Sequence, residues 1–172
     1  DFCLSRGLGD VYKRQVDPPQ ILRPGGTPYE VIKGFLGRTE LHPVAVADKE
    51  LPVMKARSPG MKHKHYAPNA DLVVVEGETS AIRAKVKELA ESYKQKGHKV
   101  GVLATDETAG YYKADLVMSM GSRTNIAVIA RNLFRLLREF DAESVDVIIA
   151  EGIPCEGLGL AVMNRLRKAS AY

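Results

Sequence analysis

Four short apolar runs, each followed by a segment with a different residue spacing, constrain the fold of this chain more than any other feature. They lie after Asn69 and read DLVVV, KVGVLA, ADLVMSM and VDVIIAE. The first run is followed by residues 79–97, where apolar residues recur at helical spacing up to a terminal Gly97. Parallel neighbours cannot be joined by tight hairpins, so strands that alternate with helices predict crossovers over a parallel sheet. The sequence predicts an α/β fold, a Rossmann-like three-layer domain with a mainly parallel sheet, over residues 69–172.

The strand and helix pair recurs along the rest of this region. A weaker helical segment is predicted at residues 106–113, and longer helices at 122–143 and 158–170. DLVVV is rich in β-branched residues, which is typical of a strand buried on both faces. The residues that follow the strands, EGETS, ATDET, MGSRTN and EGIPCEGLG, are rich in Gly, Ser and Thr. They fit either ordinary turns and helix caps or a small-ligand crevice beyond the strand ends, and both interpretations stay open.

The first 68 residues do not continue this pattern. Residues 1–15 have no periodicity, and DVYKRQ resembles the translated end of a transposon used in library preparation, so we interpret them as a non-native scar. The natural protein is then expected to continue upstream of Val16. Residues 16–26 are predicted to be an extended strand that leaves another domain, followed by a helix with Thr27 as N-cap, Pro28 at its first position and Gly37 as its stop. Residues 38–68 are predicted to be an interdomain linker.

Positive charge is concentrated in the N-terminal part. Residues 1–68 hold 11 Lys and Arg against 7 Asp and Glu, whereas residues 69–172 hold 14 of each. The density is highest between Lys55 and His65, where no acid occurs. Such a stretch favours a phosphate or polyphosphate partner.

Composition excludes several classes of protein. Only 6% of the residues are aromatic and there is no Trp, which argues against an RNA-binding sheet that stacks bases. Two cysteines are too few for a disulfide framework or a zinc knuckle. No apolar run approaches the roughly 18 residues of a membrane helix, and no secretory signal pattern is present. We expect a cytoplasmic protein.

The segment SPGMKHKHYAP, residues 58–68, is the strongest motif. Pro59 and Gly60 set a turn, the lysines and imidazoles supply donors, and Tyr66 offers a flat ring, so the segment could wrap a nucleotide. A solvated basic linker is the simpler alternative. A metal site at His63 and His65 is disfavoured, because a third ligand is missing and cations surround the pair.

Two weaker motifs accompany it. Arg23 stands just before a Pro-Gly turn, where a guanidinium fits bidentate contact with phosphate or carboxylate, although an ordinary surface Arg fits as well. Gly157 and Gly159 open the last predicted helix as in a dinucleotide fingerprint, but the third Gly is missing and the motif follows the last strand.

The combination of ILRPGG, SPGMKHKHYAP and an α/β region that ends in GLGLAVMNRLRKAS resembles the threonylcarbamoyl-AMP synthase family in its long two-domain form. The resemblance covers the chain from about Ile21 to Ala169. Members of that family condense L-threonine, bicarbonate and ATP into threonylcarbamoyl-adenylate and release pyrophosphate. The product is used to build threonylcarbamoyladenosine on tRNA.

The resemblance implies that the two domains of the family have different roles. The catalytic cleft belongs to an N-terminal YrdC-like domain, of which residues 16–37 would be the final edge, so the fragment is expected to be inactive alone and to carry no catalytic or metal-ligating residue. Magnesium is expected with ATP, and contact with tRNA is expected to be indirect or transient. The residues that match the family's nucleotide-contacting and linker positions are Arg23, Ser58, Pro59, Gly60, Met61, His65 and Tyr66.

Two other function classes stay open from the residues alone. One is a stand-alone nucleotide-binding module that uses the strand-end crevice. The other is an RNA-binding accessory domain that uses the basic tail, for which binding would depend steeply on salt.

Overall fold

The computed structural model describes residues 11–13, 18–43 and 67–170, with the backbone alone at 11–13. Within these residues the contacts form two compact units, one of 11–13 and 18–43 with 154–170 and one of 67–153. In chain order the elements are β1 (Val11–Lys13), β2 (Gln20–Arg23), α1 (Tyr29–Leu36), β3 (Glu40–Leu41), β4 (Asp71–Val75), α2 (Thr79–Gln95), β5 (Val100–Ala104), a 3₁₀ turn (Ala109–Tyr111), β6 (Leu116–Ser119), α3 (Ile126–Ala142), β7 (Val147–Glu151) and α4 (Leu158–Ser170).

The unit of residues 67–153 is built on a parallel sheet in the order β4-β7-β5-β6. All four predicted strands are confirmed. Every residue of the two central strands, β5 and β7, is buried, because helices cover both faces. The last strand in sequence lies between the first two, an order that local patterns do not reveal.

Successive residues of β5 face opposite sides of the sheet, and each side is covered by a different helix. Val100 and Val102 belong to the same apolar cluster as Val86 of α2. Gly101 points the other way, toward the ring of Phe140 in α3. A three-layer α/β domain is therefore confirmed.

Three details differ from the sequence predictions. β4 was expected to be buried on both faces, but Val73 and Val74 are only half-buried because β4 is an edge strand. Residues 106–113, predicted to be a weak helical segment, contain only the 3₁₀ turn Ala109–Tyr111. The first helix begins at Tyr29 with Pro28, not Thr27, as its N-cap, and no side chain caps it.

The other unit contains a small three-stranded sheet. β1 pairs with β2 antiparallel, and β2 pairs with β3 parallel, so the strand predicted within residues 16–26 is confirmed. α1 ends at Leu36 and Gly37 is its C-cap, with a φ of 69°, so the predicted glycine stop is confirmed. Contacts group α4 with this unit, and eight of its 13 residues are buried. The predicted domain boundaries at 37/38 and 68/69 stay predictions.

Among the residues that the structure describes, no helix is both long enough and apolar enough to cross a bilayer.

Asp115 fastens the N-terminal end of β6 to β5. Its Oδ2 accepts a hydrogen bond of 2.8 Å from the Val100 amide, and its Oδ1 lies 3.1 Å from Lys94 Nζ. The Val100 amide, followed by Lys94, holds the pKa of Asp115 below its ordinary value, against an opposing effect of burial. A lowered carboxyl pKa stabilises the fold above the unfolded-state pKa, and this contribution is lost as pH falls through the folded-state pKa.

Asp115→Asn is therefore expected to lower the free energy of unfolding at pH 7 and to make little difference below the pKa of the folded state. Urea unfolding in steps from pH 7 down through and below the unfolded-state pKa near 3.9 measures the difference in the free energy of unfolding between parent and variant, which should shrink as pH falls. Lys94→Met serves as the control. It should reproduce only a minor part of the effect at pH 7, because the Val100 amide is the larger cause. A difference in the free energy of unfolding that stays the same over the whole pH range would contradict the prediction.

Candidate functional site

Of the residues predicted to contact a nucleotide, Arg23 lies in the described part of the chain. It is the last residue of β2, is half-buried, and is followed by the predicted turn. The Pro24 carbonyl accepts a hydrogen bond of 3.4 Å from Arg165 Nη2, which links this turn to α4. The other predicted positions lie outside the described residues; they are Ser58, Pro59, Gly60, Met61, His65 and Tyr66.

The glycine pair at the start of α4 does not form a pyrophosphate cradle. Gly157 adopts a φ of 54° and its N–H is directed at Glu30 Oε1, 3.5 Å away. Gly159 is buried inside the helix. The backbone donor that a dinucleotide fingerprint needs is thus engaged by a carboxylate of the protein.

The strand ends of the parallel sheet hold a buried polar cluster centred on Glu151. Glu151 is the last residue of β7 and is fully buried. Its Oε2 accepts hydrogen bonds from the Thr105 amide at 2.9 Å, the Thr105 hydroxyl at 3.1 Å and the Thr108 hydroxyl at 2.6 Å. These bonds join the ends of β5 and β7, because Thr105 directly follows β5.

Two further side chains complete the cluster. The Tyr112 hydroxyl donates to Glu151 Oε1, and burial, followed by this bond and the negative charge, raises the pKa of Tyr112 well above its ordinary value. Tyr112 therefore remains a neutral donor at physiological pH. Arg123 lies between solvent and the carboxylate, with its Nη2 3.5 Å from Glu151 Oε2 and its Nε 3.3 Å from the Thr105 hydroxyl.

An exposed set of hydrogen bonds around Glu107 lies next to this cluster. Glu107 accepts hydrogen bonds from the Ser122 hydroxyl at 2.5 Å and from the Arg123 amide at 3.0 Å. The Ser122 bond is the main reason that the pKa of Glu107 lies below its usual value. The loops after β5 and β6 are thereby held together.

At the same edge of the sheet, Gly152, which follows β7, lies close to the end of β4 and the loop after it. A Cβ atom on Gly152 would lie 2.9 Å from Glu76 Cγ and 3.0 Å from the Val75 carbonyl oxygen. The Gly152 amide donates to that same oxygen at 2.8 Å. Glycine is needed here because the two backbones approach too closely for a side chain.

The cluster is suited to fixing loops rather than to general-base catalysis. Glu151 is fully buried, whereas a general base must lie within hydrogen-bond reach of the substrate proton that it removes. Within residues 18–43 and 67–170, no group of three His, Cys, Asp or Glu side chains is placed to hold a metal ion. Sequence reasoning missed this cluster. Its one signal is a carboxylate at the end of an otherwise apolar, buried strand.

Comparison with known proteins decides the family. The family described as "Threonylcarbamoyl-AMP synthase, C-terminal domain" matches residues 29–171. The chain belongs to this family. The match begins at the first residue of α1 and includes the whole parallel sheet. The resemblance inferred from the sequence is therefore confirmed.

Relatives with the same description extend beyond this chain. The threonylcarbamoyl-AMP synthase of Pyrococcus abyssi is 50% identical over 155 residues, which are 90% of this chain and 43% of the relative. The Bacillus subtilis enzyme is 44% identical over 154 residues, 90% of this chain and 42% of that protein. The chain spans less than half the length of these threonylcarbamoyl-AMP synthases.

Solved structures of the Pyrococcus abyssi protein have the same fold. One is described as Sua5 complexed with L-threonine, with a TM-score of 0.82, 46% identity, and coverage of 95% of this chain and 45% of that one. The other carries alanine in place of an adjacent histidine and tyrosine, with a TM-score of 0.84, 45% identity and the same coverage.

Proposed function

We propose that this chain is the C-terminal accessory domain and active-site-covering linker of an L-threonylcarbamoyladenylate synthase. The whole enzyme would convert L-threonine, bicarbonate and ATP into threonylcarbamoyl-AMP and pyrophosphate, for threonylcarbamoyladenosine synthesis on tRNA. The observation that carries the proposal is the 50% identity over 155 residues to the Pyrococcus abyssi threonylcarbamoyl-AMP synthase. The enzyme that we propose would act in the cytoplasm.

The exposed face of α1 supports a further domain in the complete protein. No residue of α1 is buried, and Val31, Phe35 and Leu36 are 45%, 86% and 40% exposed. An isolated eight-residue helix is marginal in water, and helices in proteins are stabilised by packing an apolar face. This face fits the interpretation that residues 16–37 are the final edge of a YrdC-like catalytic domain, which would cover it.

The proposed role of the linker follows from the chemistry of the product. A carbamate and a mixed anhydride are both attacked by water, so a segment that excludes solvent while donating to phosphates would protect them. Residues 58–68 carry donors between two prolines, which limits the entropy lost when the segment closes. Ser58, Pro59, Gly60 and Met61 would form the turn, and His65 and Tyr66 would contact ATP.

Two observations bear on the individual residues that are proposed to contact the nucleotide. The sequence contains one adjacent His-Tyr pair, His65 and Tyr66, and an adjacent His-Tyr pair was replaced by alanine in a solved variant of the Pyrococcus abyssi relative. Arg23, half-buried at the end of β2, would add a guanidinium to the nucleotide site. ATP would be held mainly by the N-terminal domain, with magnesium on its phosphates, and L-threonine and bicarbonate would bind there too.

The test joins this chain to the N-terminal part of the Pyrococcus abyssi relative and measures pyrophosphate release from ATP with L-threonine, bicarbonate and magnesium. The fusion is expected to turn over. His65→Ala with Tyr66→Ala is expected to lower pyrophosphate release by roughly a hundredfold to a thousandfold, the size of effect seen when a positioned donor is removed.

A matched control removes the same two residue types elsewhere. Tyr93 and His98 make an edge-to-face ring contact in the unit of residues 67–153, with ring centroids 5.8 Å apart. Their double alanine variant is expected to retain turnover. An inactive fusion would oppose the proposed function. An active fusion that is unaffected by the linker substitutions would contradict the proposal that the linker covers the active site.

A further inference from the structure

Helix α3 presents an exposed face made of arginine and alanine. Its five most exposed residues are Ala127, Arg131, Arg135, Arg138 and Ala142. We define Arg131, Arg135 and Arg138, at positions i, i+4 and i+7, as the arginine stripe. The opposite side of α3 is pinned to the sheet by buried apolar side chains such as Leu133 and Phe140. The stripe is therefore held on a rigid element.

The stripe is weakly engaged by the rest of the described chain. Arg135 pairs with Glu139, and both side chains are about half exposed, at 53% and 42%. Such surface pairs contribute little and exchange readily with other partners. The guanidinium groups of Arg131 and Arg138 make no hydrogen bond or ion pair with another side chain or with the backbone in the described ranges.

Overall charge does not explain this face. Residues 69–172 hold equal numbers of basic and acidic residues, 14 of each. The stripe therefore places three positive charges side by side in a region whose net charge is zero. All three positions are arginine, whose planar fork binds phosphate in a bidentate manner and is more weakly hydrated than the lysine ammonium.

The spacing of the stripe matches a nucleic-acid backbone. Seven residues of an α-helix rise about 10.5 Å, and a nucleic-acid strand carries one phosphate on every nucleotide, so the stripe is long enough to contact more than one successive phosphate of a strand. Ala127 and Ala142 flank the stripe with small side chains and leave a backbone room to approach.

We propose that the arginine stripe of α3 binds the phosphate backbone of RNA without reading its sequence. The proposal goes beyond adenylate synthesis and does not require that activity, because α3 belongs to the unit of residues 67–153 and no ATP chemistry enters the argument. It also assigns RNA contact to α3 and not to the basic segment between Lys55 and His65.

Fluorescence anisotropy of the full chain with a labelled, unmodified tRNA transcript tests the proposal at several salt concentrations. The variant is Arg131→Gln with Arg138→Gln, which removes two exposed charges without disturbing buried contacts. We expect its salt slope to become shallower by about 1.5 to 2 and its Kd at low salt to rise about tenfold or more. Circular dichroism confirms that the variant is folded.

Lys87→Gln with Lys113→Gln is the matched control, because both lysines are exposed and the change in net charge is the same. It is expected to change Kd less than threefold. Equal losses in both variants, or no loss in the stripe variant, would overturn the proposal. A labelled polyglutamate that binds the stripe more tightly than RNA would overturn it in favour of an acidic protein partner.

Discussion

Glu151→Ala is expected to destabilise the chain by about 3–5 kcal/mol, as when one partner of a buried ionic network is removed. The change would leave the Thr105 amide, the hydroxyls of Thr108 and Tyr112, and the Arg123 guanidinium without their acceptor. Glu151 is fully buried, so water does not replace its oxygens without opening the strand ends. Urea unfolding followed by circular dichroism measures the loss.

Two controls separate the network from a general effect of losing a carboxylate. Glu151→Gln keeps the shape and one acceptor oxygen, so it should lose less stability than the alanine variant. Glu88→Ala removes an exposed ion pair with Lys85 and should change the free energy of unfolding by less than about 1 kcal/mol. A loss below 1 kcal/mol for Glu151→Ala would mean that the donors find other partners.

Gly101→Ala is expected to destabilise the chain by about 1–3 kcal/mol, through overpacking under α3. The added Cβ would lie 2.6 Å from Phe140 Cε1 and 2.7 Å from Phe140 Cδ1. Phe140 is fully buried, so its ring has little space into which to move. This overlap outweighs the roughly 0.4–1 kcal/mol that alanine contributes by restricting the unfolded chain.

A double-mutant cycle isolates the overlap. Phe140→Leu destabilises by itself, but combined with Gly101→Ala it should lose at least about 1 kcal/mol less than the sum of the two single changes. Gly110→Ala is the control, because no atom lies within 4 Å of its added Cβ. It should stay within about 0.5 kcal/mol of the parent. Additive losses in the cycle would contradict the proposed contact.

The fold was predicted well where the signal is local. The alternation of apolar runs and helical spacing located β4 to β7 and α2 to α4, and the last helix runs from Leu158 to Ser170 as predicted. Strand order escaped prediction, because nothing in the sequence of β7 says that it pairs with both β4 and β5. The exposure of Val73 and Val74 follows from that order, which makes β4 an edge strand.

The candidate site was predicted less completely. The strand-end sequences correctly indicated polar loops at one edge of the sheet, but the Glu151 cluster depends on contacts between residues more than 40 positions apart, such as Glu151 with Thr105 and with Thr108. Spacing in sequence carries no information on such pairs. The role of Arg23 stays a prediction, and the linker residues lie outside the described part of the chain.

The central place of β7 has a consequence for protein synthesis. A ribosome that has released residues up to Ala142 has delivered β4 and β5, but the strand that joins them through hydrogen bonds has not yet emerged. Until it does, two sheet edges and the apolar surface beneath α2 stay open to other chains. Completion of the sheet must wait for residues 147–151, so a nascent chain stalled before them is a natural client for chaperones.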